Sequence, residues 1–479
     1  MERHLPNNWV KAEFKDLTSF VIGGDWGKDL EFEFDVDSEI VSCIRGSEIK
    51  NWGQDKGSTA SIRKIKSSSL EKRALVEGDI LLEISGGGPD QPVGRTIYID
   101  EEALEVNADY KKVCTNFLRM VRLYDVLNKK FIKHYLDSFY LSGEILKYQG
   151  GSNNLRNLKY KEFETIKIPL PPLPEQQRIV AKLDALFGHL DTLKTRLENI
   201  PQILKNFRQA VLTQAVTGKL TEEWGVGKEL EDIKLNDSKK YELGFEFSVP
   251  KKWSIYPIGN VFSFQQGMQI AKETRLKSPG NNVLPILRIK NYHDGFIEDV
   301  EYIKINEKSL IAEEEDIILT RTGESRGRVL TGFKGVFHNN TFRINFPKDK
   351  VEGKYLKHFL SQSQIQAFIK YNSGRTGQPD LTHKSFGPCP FILPPKEEQT
   401  EIVKRVEHLF SKADAIEAQY QSLKTKIDSL PQAILAKAFK GELVEQLPTD
   451  GDAKDLLEEI KRLRESMKKK TVKKKPKKK

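Results

Sequence analysis

The sequence LPPLPEQQRIVAKLDALF at residues 170–187 returns as LPPKEEQTEIVKRVEHLF at residues 393–410, an offset of 223 residues. The same offset, without a gap, pairs Lys147 with Lys370 upstream and Gly218 with Gly441 downstream. Towards the amino terminus the match continues with small gaps, as PNNW at residues 6–9 resembles PKKW at residues 250–253. The chain is therefore an internal duplication, in which a variable part precedes a better matched part.

The better matched part of each copy carries apolar residues at alternating spacings of three and four. This 3.5-residue period predicts a coiled-coil seam, so each copy contains a long helix that needs a helical partner. The predicted seam residues are Ile179, Leu183, Leu186, Leu190, Leu193 and Leu197 in the first copy, and Ile402, Val406, Leu409, Ile416, Tyr420 and Leu423 in the second.

Both predicted helices begin after prolines and end near a glycine, Gly218 or Gly441. A helix from residue 175 to residue 218 would be about 65 Å long. Pro201 and Pro431 lie inside the helices, where we expect a bend and not a break. The two helices on one chain are expected to pair antiparallel in a pseudo-two-fold arrangement. An ordinary helical hairpin or a dimerisation coil is the alternative for the seams alone.

The variable parts mix short β-rich runs, such as residues 79–84 and 316–320, with glycine-rich turns and helical stretches such as residues 354–370. This composition predicts two tandem α/β (mixed α+β) domains. We expect globular domains at residues 1–169 and 246–391, long helices at 170–224 and 392–447, a linker at 225–245, and a short helix with a lysine-rich tail at 448–479.

The net charge of +10 and the pI near 9.1 favour an anionic partner, but nine lysines at residues 468–479 leave only +1 for the rest. Any basic surface must therefore arise from patterning. The tail either adds sequence-independent DNA affinity or serves solubility. The chain has neither a secretory signal nor a stretch long enough to span a membrane, which predicts a cytoplasmic protein without a membrane partner. Its three distant cysteines predict reduced thiols.

Arginine and amide side chains lie among glycines and hydroxyl residues in several predicted loops. In such loops the backbone approaches DNA closely, arginine reaches guanine or phosphate, and asparagine or glutamine pairs with adenine. The alternative is that the glycines only shape turns and the arginines are solvated. The candidate DNA-binding residues are Arg95, Asn153, Asn154, Arg156, Arg321, Arg326, Arg328, Arg375 and Gln378.

No stretch of the sequence has the motifs of a DNA-modifying enzyme. A Walker A loop, an Asn/Asp-Pro-Pro-Tyr tetrapeptide and metal-ligand spacing of cysteine or histidine are all missing. We therefore predict no catalytic residue, no metal and no cofactor on this chain.

Several stretches of the chain resemble the specificity subunit of type I restriction-modification systems. They are the repeated runs at residues 170–187 and 393–410, RQAVLTQAVTGKL at the end of the first helix, QAILAKAFKGEL at the end of the second, and SGRTGQPDLTHKSF at residues 373–386. The resemblance covers nearly the whole chain. It implies two target recognition domains that read the halves of a bipartite, asymmetric site in double-stranded DNA. The helices would set the gap between the halves.

The resemblance also implies partners. The seam helices would dock two methyltransferase subunits that use S-adenosylmethionine, and restriction subunits would add translocation and cleavage with ATP and Mg²⁺. The setting would be a prokaryotic cytoplasm. The first copy has GGSNNL at residues 150–155 where the second has SGRTGQ at residues 373–378, so base contacts do not transfer between copies.

Two other classes of function stay open from sequence. A coiled-coil scaffold whose heads bind proteins would not copurify with a methyltransferase. A self-sufficient methyltransferase would bind S-adenosylmethionine as an isolated chain.

Overall fold

The computed structural model describes residues 5–88, 91–152, 155–227, 249–293, 296–374 and 379–473. The chain forms two compact units, one of residues 1–196 with 423–479 and the other of residues 197–422. Each unit joins one globular domain to the first half of its own long helix and to the second half of the other copy's helix. The compact units therefore cut across the two sequence copies.

In its described residues the first unit contains four small sheets and the first half of the first long helix. Its strands are β1 (Val10–Glu13), β2 (Thr18–Gly23), β3 (Ser38–Ile44), β4 (Ser61–Lys66), β5 (Ile80–Glu83), β6 (Ser85–Gly87), β7 (Thr96–Tyr98), β8 (Lys111–Cys114), β9 (Leu118–Leu123), β10 (Gln149–Ser152), β11 (Leu155–Leu158) and β12 (Lys167–Leu170). Its first helices are α1 (Trp52–Asp55), α2 (Ser67–Arg73), α3 (Glu101–Glu105), α4 (Lys129–Leu141), α5 (Tyr160–Phe163) and α6 (Leu173–Glu198). The strand orders are β1-β12, β2-β9-β5-β7, β4-β3-β8 and β10-β11-β6.

The second unit repeats much of this plan. Its strands are β13 (Ser254–Pro257), β14 (Ser263–Gln266), β15 (Val283–Leu287), β16 (Tyr292–His293), β17 (Phe296–Ile297), β18 (Tyr302–Lys304), β19 (Ile311–Ala312), β20 (Ile317–Thr320), β21 (Val329–Leu330), β22 (Gly335–Phe337), β23 (Thr341–Asn345) and β24 (Pro390–Leu393). Its helices are α7 (Ile200–Val216), α8 (Ile258–Val261), α9 (Gly353–Leu360), α10 (Ser363–Asn372), α11 (His383–Phe386) and most of α12 (Lys396–Ala438).

Three of the described sheets correspond between the units. The order β2-β9-β5-β7 returns as β14-β23-β20-β21, and β4-β3-β8 returns within β18-β15-β22-β19. The pair β1-β12 returns as β13-β24. The predicted strands near residues 80 and 317 are β5 and β20, so the expected pair of mixed α+β domains is confirmed.

The long helices differ in continuity. In the first copy the helix is interrupted at Asn199, and Pro201 lies in the first turn of α7, so the expected simple bend at Pro201 was wrong. Proline lacks the N–H that would continue the ladder, and the first helical turn tolerates that loss best. In the second copy α12 runs unbroken for 43 residues through Pro431. The expectation that Pro431 does not break the helix is confirmed, and the expected bend there stays a prediction.

Within each unit the two helix segments run antiparallel. In the second unit Arg208 contacts Asp414 and Glu417, both at 2.7 Å, while Arg405 further along donates to the Leu220 carbonyl at 2.8 Å. The contact position moves backwards on one segment as it moves forwards on the other. The predicted antiparallel pairing is confirmed inside the unit.

The repeated glutamine of the LPP motif fastens each globular domain to its helix. Gln176 accepts a hydrogen bond from the backbone N–H of Asn128 at 3.0 Å and donates to the carbonyl of Pro171 at 2.8 Å. Gln399 accepts from the N–H of Glu352 at 2.7 Å and donates to the carbonyl of Pro394 at 2.9 Å. The match at these positions therefore has a structural cause.

The segment that follows α12 completes the core of the first unit. Phe439, just after α12, packs edge-on against Phe131 at 5.3 Å and Tyr135 at 5.1 Å between ring centroids. Beyond it the helix α13 (Ala453–Lys473) buries Leu456 and Ile460 in the same core. This is the short amphipathic helix expected before the tail. Among the described residues, no helix is long and apolar enough to cross a membrane.

Candidate nucleic-acid interface

The loops of each globular domain gather where two parallel strands end. In the first domain β3 and β8 are parallel and finish side by side at Ile44 and Cys114. In the second domain the parallel strands β15 and β22 finish side by side at Leu287 and Phe337. Because parallel strands end at one edge of the sheet, the residues that follow them share a single surface.

A β-turn follows the second strand of each parallel pair. In the first domain the N–H of Leu118 donates to the Thr115 carbonyl at 3.0 Å. In the second the N–H of Thr341 donates to the His338 carbonyl at 2.9 Å. The offset of 223 relates these turns residue by residue, so both domains present the same turn at the same edge.

A glycine braces each turn. A Cβ on Gly24 would lie 2.1 Å from the Thr115 carbonyl oxygen, and a Cβ on Gly267 would lie 2.3 Å from the His338 carbonyl oxygen. No residue with a Cβ fits at either position, because a carbon atom cannot lie so close to a carbonyl oxygen. The glycine therefore packs directly against the first residue of each turn and fixes the position of the turn.

In the first domain these loops enclose a cavity of about 750 Å³. Its wall includes both aromatic and polar side chains, together with the β-turn. The lining residues include Trp26, Arg45, Lys50, Glu83, Gln91, Arg95, Asn116 and Phe117. Aromatic surface beside amide and cationic groups is the chemistry that binds nucleic-acid bases and phosphates.

Arg95, predicted from sequence, lies in this cavity, but its guanidinium is already paired. Its Nη2 and Nε donate to the two carboxylate oxygens of Glu83 at 2.5 and 2.9 Å, and the Glu83 side chain is buried. The Glu83 carboxylate raises the pKa of Arg95. The pair forms a fixed polar wall whose charges balance.

The candidate arginines of the second domain also have internal partners. Arg321 makes a two-pronged contact with Asp380, both distances being 2.6 Å. Arg326 donates to the Ser373 hydroxyl at 2.8 Å and to two backbone carbonyls. Arg326 and Arg328 line a hollow of about 320 Å³ with Lys370. In the described structure the guanidinium groups of Arg321 and Arg326 thus hold loops together.

Arg156 lies on β11, opposite Gly151 of β10 and Gly87 of β6. The structure does not bring it into the residues that line the cavity of the first domain. The candidates Asn153, Asn154, Arg375 and Gln378 lie outside the described residues.

Sequence reasoning missed a polar cluster at the same edge of the second domain. Arg275 and Arg288 both contact the Glu301 carboxylate, at 3.2 and 2.5 Å. Burial lowers the pKa of the adjacent His338, and the two arginines lower it further. Its Nδ1 accepts from the N–H of Asn340 at 3.4 Å, so the neutral ring carries its proton on Nε2.

Arg288 and Arg45 occupy equivalent places, each directly after the central strand of its small sheet. Arg45 contacts the buried Glu48 at 2.6 Å, so this arginine too is held by a carboxylate. The register of the repeat, which aligns residues 115–117 with residues 338–340, is the signal that could have found His338.

The predicted seam residues divide into a buried line and an exposed line. The buried members are Ile179, Leu183, Leu190, Ile402, Val406 and Tyr420. Leu186, Leu197 and Leu409 are half-buried, and Leu193, Ile416 and Leu423 are exposed. The buried line therefore packs inside each unit, while the other line leaves apolar side chains at the helix surface.

The described residues contain no group of three or more histidine, cysteine, aspartate or glutamate side chains arranged to hold a metal ion. All three cysteines are free and buried, in keeping with the reduced thiols predicted from sequence.

Known proteins are similar to this chain over most of its length. The family model described as "Type I restriction modification DNA specificity domain" matches residues 6–202 and 250–425. The EcoKI specificity subunit of Escherichia coli strain K12 is 30% identical over 478 residues, covering 95% of this chain and 96% of the relative. The StySPI specificity subunit of Salmonella potsdam is 30% identical, covering 92% of this chain and 90% of the relative.

Two solved structures share the fold. One, described as a type I R-M system in complex assembly and conformational transition, has a TM-score of 0.65 and 17% identity, covering 92% of this chain and all of the other. The HsdS subunit of Thermoanaerobacter tengcongensis has a TM-score of 0.58 and 17% identity, covering 92% of this chain and 99% of the other. With the family-model match and the 30% identity over nearly the full length, the chain belongs to the DNA specificity subunits of type I restriction-modification systems.

Proposed function

We propose that this chain reads a bipartite, asymmetric sequence in double-stranded DNA, with one globular domain on each half. The observation that carries the proposal is the repeated loop edge. Both domains present the same braced β-turn at the ends of parallel strands, but the turn is Thr115-Asn116-Phe117 in one and His338-Asn339-Asn340 in the other. A shared frame with different side chains suits two half-sites of different sequence.

The long helices supply the spacing and the docking surface in this proposal. The 43 residues of α12 span about 65 Å, which exceeds one turn of DNA, about 34 Å. The exposed apolar residues Leu193, Ile416 and Leu423 support docking of two methyltransferase subunits, because helix surfaces that bind a partner carry apolar residues at heptad spacing.

Chemistry belongs to the partner subunits in this proposal. The methyltransferase subunits would bind S-adenosylmethionine, and restriction subunits would use ATP and Mg²⁺ for translocation and cleavage. This chain's own residues position the complex on DNA by direct contact with bases and phosphates.

Methylome sequencing tests the proposal. Host cells that carry the modification subunit are compared with and without the gene for this chain. We expect one split motif, methylated in both halves, to appear only when the chain is present. An identical methylation pattern in both strains would overturn the proposal.

A further inference from the structure

We propose that Phe117 in the first domain and Asn340 in the second are specificity-determining residues, each reading one base pair of its half-site. The inference rests on the proposed function and names the side chains that carry it. Phe117 favours a thymine, whose methyl group it contacts, and Asn340 favours an adenine, with which its amide forms two hydrogen bonds.

The two residues hold the same position in the two copies. Each is the third residue after a parallel strand, β8 or β22, and each directly precedes the next strand, β9 or β23. They differ in number by the repeat offset of 223. Their two side chains therefore occupy equivalent positions in the two domains.

The backbone of each residue is fixed to the neighbouring strand. The Phe117 carbonyl accepts hydrogen bonds from the N–H groups of Ile84 at 2.9 Å and Ser85 at 3.3 Å. The Asn340 carbonyl accepts from the N–H of Arg321 at 2.7 Å. A side chain that reads a base needs a rigid backbone, because it must be positioned accurately against the edge of one base pair. These hydrogen bonds meet that requirement in both domains.

The side chains themselves are available. Phe117 is 48% exposed and lines the cavity of the first domain, and Asn340 is exposed. In contrast, the guanidinium groups of Arg95 and Arg321 lie in two-pronged contacts with carboxylates. The side chains of Phe117 and Asn340 are therefore more available to contact bases than those of Arg95 and Arg321.

The residues around Phe117 and Asn340 suit the different base that each is proposed to contact. Phe117 shares its cavity with Trp26 and Asn116, so an apolar contact has both aromatic and polar neighbours. Asn340 adjoins His338, whose lowered pKa keeps the ring neutral, and the Asn340 N–H is satisfied by that ring. The amide group of Asn340 is left to donate and accept together, which is the pattern that adenine presents in the major groove.

The test uses the full chain with its modification subunit in cells that lack the gene. The variants are Phe117→Asn, Phe117→Leu and Asn340→Ala, and the control is Phe20→Asn, an exposed phenylalanine (40%) on β2 of the same domain. Methylome sequencing reports the motif and the methylated fraction at each base position.

We expect Phe117→Asn to lose about tenfold of its discrimination at one base pair of one half-site. The other half-site and the gap stay unchanged, and Phe117→Leu and Phe20→Asn keep the wild-type motif. Asn340→Ala relaxes one base pair of the opposite half-site in the same way.

The outcomes separate the inference from the proposed function. If the wild-type chain yields no split motif, the proposed function fails. If it yields one and Phe117→Asn and Asn340→Ala keep every base preference, the inference fails alone. A variant that stops methylation at all sites, or that no longer assembles, also overturns the inference, because a base-reading residue alters preference at one position.

Discussion

The indole N–H of Trp9 donates a hydrogen bond to Oε2 of Glu175 at 3.0 Å, and Trp253 donates to Oε2 of Glu398 at 2.9 Å. Each bond joins the start of a globular domain to the first turn of its long helix. Burial raises the pKa of Glu175, and the bonds from Trp9 and Gln446 oppose that rise. The same contact thus fastens domain to helix in both units.

We expect Trp9→Phe to lower the free energy of unfolding by about 1–3 kcal/mol, since it leaves a buried carboxylate oxygen without its indole donor. Glu175→Gln should cost less, because its amide oxygen still accepts from Trp9. Urea unfolding followed by circular dichroism measures both. Trp253→Phe is the matched variant in the second unit, and a loss confined to only one of the two tryptophan variants would contradict the equivalence of the contacts.

Asp79 is fully buried and is held by Arg122, whose Nε and Nη2 each lie 2.7 Å from a carboxylate oxygen. Arg122→Ala would leave an unpaired charge in the core, and we expect a loss of about 3 kcal/mol in the free energy of unfolding. The control is Lys147→Ala, because the Lys147–Glu144 pair is exposed and its loss should change little. Equal effects of the two substitutions would argue against this account.

Burial lowers the pKa of His358 to about 4, with smaller contributions from Lys357 and Lys354. The unfolded chain binds a proton near pH 6.5 and the folded chain does not, so stability falls as the pH drops through that window. From pH 7 to pH 5 the loss should be about 2 kcal/mol. Urea unfolding at the two pH values measures it, and His358→Leu should show a loss smaller by that amount. An unchanged pH dependence in this variant would refute the assignment.

The spacing role of the helices predicts that their length sets the gap in the DNA site. Seven residues inserted at Asn199, where the first helix is interrupted, and seven at the matching Ser422 would add about 10 Å to each helix. We expect a gap about three base pairs longer with the same bases read, since base pairs rise about 3.4 Å. Methylome sequencing gives the gap directly. Replacement of seven exposed helix residues without a change of length is the control, and a constant gap after insertion would exclude the spacing role.

Much of the fold was predictable because local patterns determine it. The heptad spacing gave the helices, glycines marked their ends at Gly218 and Gly441, and β-rich runs located β5 and β20. The interruption at Asn199 was not predicted. Pro201 and Pro431 look alike in sequence, and the structure distinguishes them by position, since Pro201 lies in the first turn of α7 and Pro431 lies inside α12.

The candidate site was less predictable because its chemistry depends on long-range partners. The sequence showed arginine beside glycine at Arg321, but its partner Asp380 lies 59 residues away. A guanidinium group that looks free in sequence is thus neutralised in the fold. The turn at residues 115–117 has no composition signal of its own, and only strand register brings it to the edge.

The packing of Phe439 against Phe131 has a consequence for biosynthesis. Residues 423–479 leave the ribosome after residues 197–422, so the second unit has all of its chain outside the ribosome while the first unit still lacks Phe439, Leu456 and Ile460. Domains usually fold from the amino terminus as they emerge. Here the domain that is made first is finished last, and its apolar surface at Phe131 stays uncovered until Phe439 has left the ribosome.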